Sequence, residues 1–258
     1  MMRAKKSLGQ NFLLHARIAE RIALVAKLSP ESVVLEIGPG TGMLTKELLK
    51  LAKKVIAVEA DRKLFENLRT IFASEIADDH LTLIHGDIRA YPLHTAIAGN
   101  YGYHVVANIP YYLTGEIFRM FLESDNQPSS LTLLVQKEVA ERIARSKKES
   151  ILSLSVKAYG TSKYEFTVKR GAFKPAPNVD SAVLTVRDIS RKNFSTRAEE
   201  ERFFALIKAG FAHKRKFVRK NLFDAGLSAG SIPEKARAED VPLSTWLALS
   251  RLNGASCR

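Results

Sequence analysis

The sequence predicts an α/β fold with a mainly parallel seven-stranded sheet and a small all-helical domain after it. Short apolar runs alternate with segments of helical periodicity over most of the 258 residues. That alternation favours right-handed β–α–β crossovers, with helices on both faces of the sheet. From about residue 190 the strand pattern stops and only helical patterns follow. We therefore predict one domain over 1–189 and a helical domain over 190–258.

Seven segments have the composition and length of strands. Between the early ones, MLTKELLKLA and DRKLFENLRTIFA place apolar residues at helical spacing, and Asp61 is positioned to cap the second helix. The last two strands are joined by a proline-rich segment, so we expect an antiparallel pair closing the sheet edge. The predicted strands are VVLEI (33–37), VIAVE (55–59), LTLIH (81–85), HVVAN (104–108), LTLLV (131–135), YEFTV (164–168) and SAVLTV (181–186).

The sequence leaves one segment undecided between strand and helix. ILSLSVKAY (151–159) alternates apolar and polar residues as a strand does, yet it lies where the topology requires a helix between strands. Neither internal repeats nor low-complexity tracts interrupt the chain. The later sequences TRAEEERFFALIKAGFAHKRKFVRKNLFDAGL and PLSTWLALSRL are helical in pattern, which is the basis for the second domain.

The net charge of +13 is concentrated at the two ends of the chain. Residues 1–30 carry six Lys and Arg against one acid, and residues 189–258 carry 14 against seven. The segment between them is nearly neutral, with 20 against 19. Localised positive charge is typical of a polyanion partner, which it holds through phosphate contacts. A membrane surface is the competing partner, but no basic helix has the strong apolar face that such binding requires.

The stretch HKRKFVRK (213–220) is the strongest candidate for RNA contact outside a pocket. On a helix, Lys216 and Lys220 share a face with Arg219 adjacent, while Phe217 points elsewhere and is expected to pack. The alternative is a solvated charged face with no partner. The predicted RNA-binding residues are Lys214, Arg215, Lys216, Arg219 and Lys220.

The composition of the chain and the lengths of its apolar runs disfavour several classes of protein. No apolar run approaches the roughly 18 residues of a membrane span, and the basic start lacks the apolar core of a secretory signal. The single cysteine, Cys257, fits a reducing compartment. We therefore expect a cytoplasmic protein without membrane or metal, with a monomer as the default, and a short organellar presequence as the minor alternative.

A glycine-rich turn follows the first predicted strand. LEIGPGTG places Gly38, Gly40 and Gly42 between that strand and a helix, where a nucleotide-like ligand is expected. The dinucleotide pattern G-x-G-x-x-G requires glycine at the position of Met43, so a pyrophosphate turn is disfavoured. No basic residue accompanies the turn, which favours S-adenosylmethionine as the ligand.

Two acids strengthen the prediction of an adenosine-containing cofactor. Glu59 ends the second strand, where its carboxylate can accept both ribose hydroxyls, and Asp87 follows the third strand, where it can accept from an adenine amino group. Each alone is often a solvated loop acid. Glu36, just before the glycines, is either a contact to the methionine ammonium or a hydrogen-bonded acid at a strand end.

The fourth strand ends in Asn108-Ile109-Pro110-Tyr111, at the same edge of the sheet. The side-chain oxygen of Asn108 and the carbonyl of Pro110 can accept the two N–H bonds of an adenine amino group, drawing its nitrogen towards a nucleophilic geometry. Tyr111 offers a face on which an extruded base can stack. The bland alternative is a proline turn with two packing tyrosines. Combined with the cofactor residues, the motif predicts an N6-adenine methyltransferase.

From these motifs the chain resembles the ribosomal RNA small-subunit adenine dimethyltransferase A family almost from end to end. The segments KKSLGQNFL (5–13), EIGPGTG, VEAD, GDI and NIPYY match in order, as do LLVQKEVAERI (133–143), FKPAPNVDSAV (173–183) and HKRKFVRKNL (213–222). The resemblance implies a class I S-adenosylmethionine-dependent methyltransferase with a Rossmann-like sheet. It also implies helix over 151–159.

The resemblance assigns roles to individual residues. Asn11, Leu13, Gly38, Glu59, Asp87 and Asn108 would be cofactor contacts, so the basic segment 1–30 would contribute to the cofactor and RNA site. Phe173 would be the second aromatic flanking the target base, with Asn108, Pro110 and Tyr111 as its catalytic partners. The implied substrate is a pair of adjacent adenosines near the 3′ end of small-subunit (16S) rRNA, each dimethylated within an immature ribosomal particle.

Departures and alternatives remain. Where the family often has Tyr-Gly-Arg-Leu-Ser, this chain reads KKESILSLSV, which affects the loop there and any RNA contact it makes. The erythromycin-resistance methylases of large-subunit rRNA share the glycine turn and Asn-Ile-Pro-Tyr, but LVQKEVAERI and NVDSAV favour the small-subunit enzymes. A catalytically silent assembly factor is disfavoured by the intact motifs. A nicotinamide-dependent oxidoreductase is disfavoured by Met43.

Overall fold

The computed structural model describes residues 9–90, 97 and 102–252, and its strands follow the predicted pattern closely. All seven predicted strands are present, and two short strands add a separate pair. The α/β fold class is therefore confirmed. The strands are β1 (Phe12–Leu13), β2 (Val33–Ile37), β3 (Lys54–Glu59), β4 (Leu81–His85), β5 (His104–Asn108), β6 (Ser130–Gln136), β7 (Thr161–Val168), β8 (Phe173–Lys174) and β9 (Ser181–Arg187).

The helix Arg62–Ile71 begins at a side-chain cap that the sequence supplies. The Asp61 carboxylate accepts the backbone N–H groups of Lys63 and Leu64, as predicted. The described helices are α1 (Ala16–Val25), α2 (Met43–Leu49), α3 (Arg62–Ile71), α4 (Ala73–Ala77), α5 (Thr114–Leu122), α6 (Lys137–Ala144), α7 (Ile151–Tyr159), α8 (Arg197–Gly210), α9 (Val218–Asp224) and α10 (Leu243–Leu252).

The open segment 151–159 is the helix α7, not a strand. Ser150 and Ser153 form a reciprocal capping box, in which each side chain bonds to the other residue's backbone N–H. This cap starts the helix at Ile151. The alternation of apolar and polar residues therefore does not indicate a strand in this segment. The apolar side chains of α7 face a packed interior on several sides, because Leu154, Val156 and Tyr159 are all fully buried.

The sheet order places the ends of β2 and β5 next to each other. The strands run β4-β3-β2-β5-β6-β9-β7, with parallel pairing from β4 to β6. From β2 the chain builds outward first through β3 and β4, then returns to place β5 on the other side. Ligands of such sheets bind at this switch point, outside the carboxyl ends of the strands. At the far edge β9 runs antiparallel to β6 with Leu133 opposite Leu184, and β7 is the outermost strand beside β9.

The chain divides into two compact units that differ from the predicted domains in one segment. The first unit holds 1–140 and 163–189, and the second holds 141–162 and 190–258. The prediction assigned 141–162 to the first domain. The structure assigns it to the second, because the Tyr159 hydroxyl donates to Glu200 and the Asn193 side-chain amide donates to the carbonyl of Ala158. The cap and packing of α7 therefore belong to the helical unit.

Gly210, the last residue of α8, is predicted to be essential for packing in the second unit. A Cβ atom there would collide with Cη2 of Trp246, a fully buried side chain. We expect Gly210→Ala to lower the free energy of unfolding by about 1–3 kcal/mol, the usual cost of overpacking. Chemical denaturation of the purified protein measures this change.

Gly115, in helix α5, provides the matched control. No heavy atom lies within 4 Å of a Cβ built there, so Gly115→Ala should leave stability unchanged or raise it by up to about 1 kcal/mol. Equal destabilisation by both substitutions would contradict the packing argument.

Candidate active site

A cavity opens at the carboxyl edge of the sheet, entirely within the first unit. It is lined by five segments of chain, of which four follow the ends of β2, β3, β4 and β5 and the fifth is the N-terminal segment 9–13. Eight of the nine predicted cofactor and catalytic residues line it together: Asn11, Leu13, Gly38, Glu59, Asp87, Asn108, Pro110 and Tyr111. Side chains far apart in sequence therefore meet at one site.

The glycine turn brings bare backbone to the cavity wall. Gly38 and Gly40 have φ values of +64° and +62°, in the left-handed region that a side chain disfavours. The Gly38 N–H donates to the carbonyl of Val58, joining the turn to β3 at 2.9 Å. At Gly40 a Cβ would lie 3.2 Å from the ring of Phe12, so the N-terminal segment also closes over this turn.

Glu59 holds the turn in place from the next strand. One carboxylate oxygen accepts the N–H of Gly40 at 3.0 Å and the other accepts the N–H of Asp61 at 2.8 Å. The residue is only 4% exposed. Burial raises the pKa of Glu59, while the two backbone N–H groups oppose that rise. Each carboxylate oxygen can accept more than one hydrogen bond, so capacity for a ligand's hydroxyls remains.

Glu36 is a buried acid without a full set of partners. It is 1% exposed, it lines the cavity, and its Oε2 atom has no hydrogen-bond partner among the described residues. Burial raises the pKa of Glu36 to about 8, the Thr45 hydroxyl opposes this, and the neighbouring Glu59 adds to it. A buried unpaired polar atom costs free energy, so a ligand group that donates to it would recover that cost.

Asp87 has a partner that sequence reasoning missed. The Arg89 guanidinium donates to both carboxylate oxygens, from Nη2 at 2.5 Å and from Nε at 3.0 and 3.1 Å. These hydrogen bonds hold the pKa of Asp87 below its usual value. Arg89 also lines the cavity. The signal was present in GDIR, where an arginine follows the aspartate two residues later, but such a spacing alone does not fix a contact.

The Asn108 amide is oriented by the N-terminal segment. Its Nδ2 atom donates to the backbone carbonyl of Asn11 at 3.0 Å, across 97 residues of sequence. Because the two ends of an amide point in opposite directions, this bond turns Oδ1 away from Asn11. The Asn11 side chain donates in turn to the carbonyl of Gly9 at 3.2 Å, which stabilises the segment that supplies the carbonyl.

Pro110 and Tyr111 continue the wall beyond Asn108. The Pro110 carbonyl accepts the N–H of Leu113 at 3.0 Å, starting a 3₁₀ turn, and its second lone pair stays available to a ligand. The Tyr111 hydroxyl shares a hydrogen bond of 2.7 Å with Ser181, the first residue of β9. Burial raises the pKa of Tyr111. Ser181 is thus a further residue that the sequence did not reveal, since the two partners are distant in sequence.

Phe173 is the one predicted catalytic or cofactor-binding residue that does not line the cavity. It is 3% exposed and packs in the hydrophobic core of the first unit. Its backbone pairs with that of Leu13, a residue that lines the cavity, in the two-stranded sheet formed by β1 and β8. Its role beside the target base stays a prediction, and it requires the ring to leave this core position.

The basic stretch 213–220 differs from its predicted form. Residues 213–217 form a turn, helix α9 begins only at Val218, and Lys214, Arg215 and Lys216 are exposed on that turn. Lys216 and Lys220 still meet, because their ammonium groups lie 3.7 and 2.7 Å from the carboxylate of Asp224.

Two side chains of this stretch have different environments from those predicted. Phe217, expected to pack, is 46% exposed, because Val218 takes the fully buried position. Arg219 donates to the carbonyl of Ile232 at 3.1 Å, which ties α9 to a following loop. The predicted RNA-binding roles of these residues stay predictions.

Comparison with known proteins identifies the family. A family model described as ribosomal RNA adenine dimethylase matches residues 1–251. The chain belongs to the ribosomal RNA adenine dimethylase family. A Fusobacterium nucleatum protein named ribosomal RNA small subunit methyltransferase A is 38% identical, with 96% of this chain and 97% of the relative covered. A Bacillus pumilus protein of the same name is 36% identical over 96% of this chain and 90% of the relative.

Solved structures of dimethylase relatives share the fold. The 23S rRNA methyltransferase ErmE superposes with a TM-score of 0.75 at 26% identity, covering 95% of this chain and 100% of that one. A dimethyladenosine transferase from Plasmodium falciparum gives the same TM-score of 0.75 at 23% identity, over 92% of this chain and 95% of that one. This dimethylase is thus an S-adenosylmethionine-dependent methyltransferase with the class I fold.

The cavity of this dimethylase fits S-adenosylmethionine. A glycine turn offers close backbone approach, Glu59 has acceptor capacity for hydroxyls, and Glu36 presents an unpaired buried oxygen to a donor. No cluster of three or more His, Cys, Asp or Glu side chains is arranged to hold a metal ion within 9–90, 97 and 102–252. Among the helices of those same ranges, none combines the length and hydropathy of a membrane span.

Glu36 is predicted to reduce the stability of the cofactor-free protein as pH rises. Its pKa is about 8 when folded and near 4.5 when unfolded, so between these values the folded state binds the extra proton. Stability then falls with rising pH across that window, at a slope of up to about 1.4 kcal/mol per pH unit. Glu36→Gln, which matches the neutral carboxyl in shape, should be more stable than the parent at about pH 8 and nearly equal at about pH 5.

Urea denaturation of both proteins across that pH range measures the difference. Glu66→Gln serves as the control, since the Glu66 side chain is 44% exposed and pairs with Arg69 at 2.8 Å. The difference in free energy of unfolding between Glu66→Gln and the parent should not grow with pH in this way. Parallel curves for Glu36→Gln and the parent would contradict the assignment.

Proposed function

We propose that this dimethylase transfers methyl groups from S-adenosylmethionine to N6 of two adjacent adenosines near the 3′ end of small-subunit rRNA, producing N6,N6-dimethyladenosine at each. One observation carries the proposal. The Asn108 amide lines the same cavity as the glycine turn and the two acids, with its orientation set by the Asn11 carbonyl. An amide oxygen beside a methyl-donor site is suited to an exocyclic amino group.

The residues that would hold the cofactor follow from their hydrogen-bonding capacity. Glu59 would accept the ribose hydroxyls, and Asp87 would accept the adenine amino group in place of one bond from Arg89. Glu36 would accept the methionine ammonium, whose positive charge favours the ionised form of this buried acid. Gly38, Asn11, Leu13 and Asn108 would complete the contacts. When bound, the cofactor supplies an electrophilic methyl group on a sulfonium.

The target base would be bound by the residues that follow β5. The Asn108 side-chain oxygen and the second lone pair of the Pro110 carbonyl would accept the two N–H bonds of the adenine amino group. Those bonds pull the nitrogen out of conjugation with the ring and direct its lone pair towards the methyl. Tyr111 would stack on the extruded base, with its ring anchored by Ser181. The proton is lost after transfer, so no general base is needed.

Phe173 would flank the opposite face of the base. Because its ring now packs in the core behind Leu13, this role requires the β1–β8 pair to shift when RNA binds. The short pair has only two residues in each strand, which limits the hydrogen bonds that such a shift must break.

We further propose that the substrate is met within an immature ribosomal particle in the cytoplasm, by a monomer. The exposed cations of the second unit, on the turn 213–217, would contact phosphates of that particle. The relatives named as small-subunit enzymes at 36–38% identity support this substrate. ErmE, named as a 23S rRNA methyltransferase, supports large-subunit rRNA as the second candidate at 26% identity.

The decisive test is mass spectrometry of rRNA from cells with and without this protein. Loss of dimethyladenosine from the small-subunit RNA is expected when the protein is absent. Loss from large-subunit RNA would favour the second candidate, and no change in either RNA would indicate the catalytically silent assembly factor.

Asn108→Ala is predicted to lower methyl transfer by about 10²–10³-fold, the usual effect of removing one preorganised hydrogen bond of about 2.7–4 kcal/mol. The fold should be retained, since the bond to Asn11 is one of many holding the first unit. Methyl incorporation into small-subunit particles under single-turnover conditions measures the rate. Asn193→Ala removes a comparable amide-to-carbonyl bond of 2.7 Å in the second unit and is the control. Undiminished transfer by Asn108→Ala would refute the role.

Joint replacement of Lys214, Arg215 and Lys216 by Ala is predicted to weaken binding to small-subunit particles while cofactor binding stays intact. Removal of each phosphate-binding cation should reduce the log–log salt slope of binding by about one. Particle binding at several salt concentrations and calorimetry with S-adenosylmethionine measure the two effects. The control is replacement of Lys50, Lys53 and Lys54, which each pair with an acid in the neutral part of the chain. An equal decrease of cofactor affinity would argue against the proposed separation of roles.

A further inference from the structure

Two exposed phenylalanines distinguish the surface of helix α9 and the turn before it. All 13 phenylalanines of the chain lie in the described ranges, and among them only Phe217 and Phe223 are exposed, at 46% and 75%. Exposing a large apolar ring to water is unfavourable, although single exposed residues need no explanation. Here, however, both rings lie within a span of seven residues, in the most basic stretch of the second unit.

The packing of α9 explains why Phe223 points outward. Val218, Asn221 and Leu222 form its buried face. Phe223 falls on the opposite side at helical spacing, between Arg219 and Lys220. Leu222 therefore fills the core position, and Phe223 contributes nothing to it.

A cation lies beside this ring. The Lys220 ammonium lies 5.3 Å from the centroid of Phe223, within cation–π distance. The same ammonium bonds to Asp224, as does that of Lys216, so the three charged groups form one cluster. We define the aromatic–basic patch as Lys216, Phe217, Lys220 and Phe223. It combines flat apolar rings with positive charge.

We propose that the aromatic–basic patch binds unpaired nucleotides of RNA, with bases stacking on Phe223 and Phe217 and phosphates contacting the adjacent lysines. Aromatic rings beside backbone-tracking cations are how proteins hold single strands without reading sequence. Bases in a duplex are already stacked on one another and do not offer their faces to side chains. The proposal rests on the proposed function for its RNA partner, and it adds a preference for single-stranded RNA that charge alone does not give.

Binding of a fluorescent oligouridine of about 12 nucleotides to the full-length chain tests the proposal. Oligouridine contains no adenine, so it avoids the adenine-specific contacts proposed for the methyl-transfer cavity. Phe223→Ala is expected to weaken binding by about 5- to 150-fold, while Phe223→Tyr, which keeps a stacking ring, stays near the parent. Binding of a G·C duplex of the same length should be unchanged by Phe223→Ala.

Salt dependence separates stacking from charge. Phe223→Ala should weaken binding at every salt concentration without changing the log–log slope, whereas Lys220→Ala should reduce that slope by about 0.7. Leu252→Ala is the control for removing an exposed apolar side chain, since Leu252 is 60% exposed on the last helix. It should leave oligouridine binding unchanged.

The proposal is overturned if Phe223→Ala binds oligouridine as tightly as the parent, or if it loses single strands and duplex equally. It is also overturned if Phe223→Ala weakens binding to ribosomal particles alone, because that result indicates a protein contact. Methyl transfer by the parent protein to small-subunit particles, measured in parallel, reports on the proposed function separately. Its absence would not alter the comparison between Phe223→Ala and the parent on oligouridine.

Discussion

The site depends on one buried carboxylate that joins two strand ends. Glu59 terminates β3, and its two oxygens accept the N–H groups of Gly40 and Asp61. The first bond fixes the glycine turn after β2, and the second fixes the start of helix α3, which Asp61 itself caps. Because the turn has positive φ values at Gly38 and Gly40, its shape is not set by local preference alone. A side chain from the neighbouring strand supplies the missing constraint, and the same carboxylate faces the cavity.

Glu36 places a buried, partly unpaired acid in the cavity, at a cost in stability. An acid that is buried and partly unpaired destabilises the folded protein, because hydrogen bonds do not fully compensate for its loss of hydration. A cation placed against the Oε2 atom of Glu36 would pair with the ionised carboxylate. It would thereby offset the free-energy cost of burying this acid. Such strain is expected where binding, and not folding, determines the residue. Glu36 therefore marks the part of the cavity best suited to a positively charged group.

Sequence patterns predicted the sheet and most of the site because both depend on short-range rules. Each predicted strand ends at the expected residue or within one of it, and the carboxyl ends of parallel strands necessarily share an edge, so Glu59, Asp87 and Asn108 converge. Contacts made by tertiary packing were not predictable in this way. Arg89 pairs with Asp87 through a loop conformation, and Ser181 reaches Tyr111 across 70 residues. Phe173 packs in the core, with its backbone paired to that of Leu13.

The second unit shows the same limit of sequence reasoning. Its helical pattern runs without a break through HKRKFVRK, and the turn that separates α8 from α9 was not predicted. That turn starts α9 at Val218 and gives this residue the buried position expected for Phe217. A basic stretch contains few apolar residues, so its helical periodicity is a weak signal. It does not determine which side chains are buried and which face solvent.

The orientation of Asn108 at the end of β5 depends on the N-terminal segment, 97 residues away in sequence. Turning the terminal amide of Asn108 over exchanges the positions of Nδ2 and Oδ1, and only one of the two rotamers places Nδ2 beside the Asn11 carbonyl. The Asn11 carbonyl selects that rotamer, since a carbonyl can accept from Nδ2 but cannot donate to Oδ1. Phe12 and Leu13 then anchor Asn11, through the glycine turn and through pairing with β8. A segment that is distant in sequence thereby fixes the orientation of the Asn108 amide.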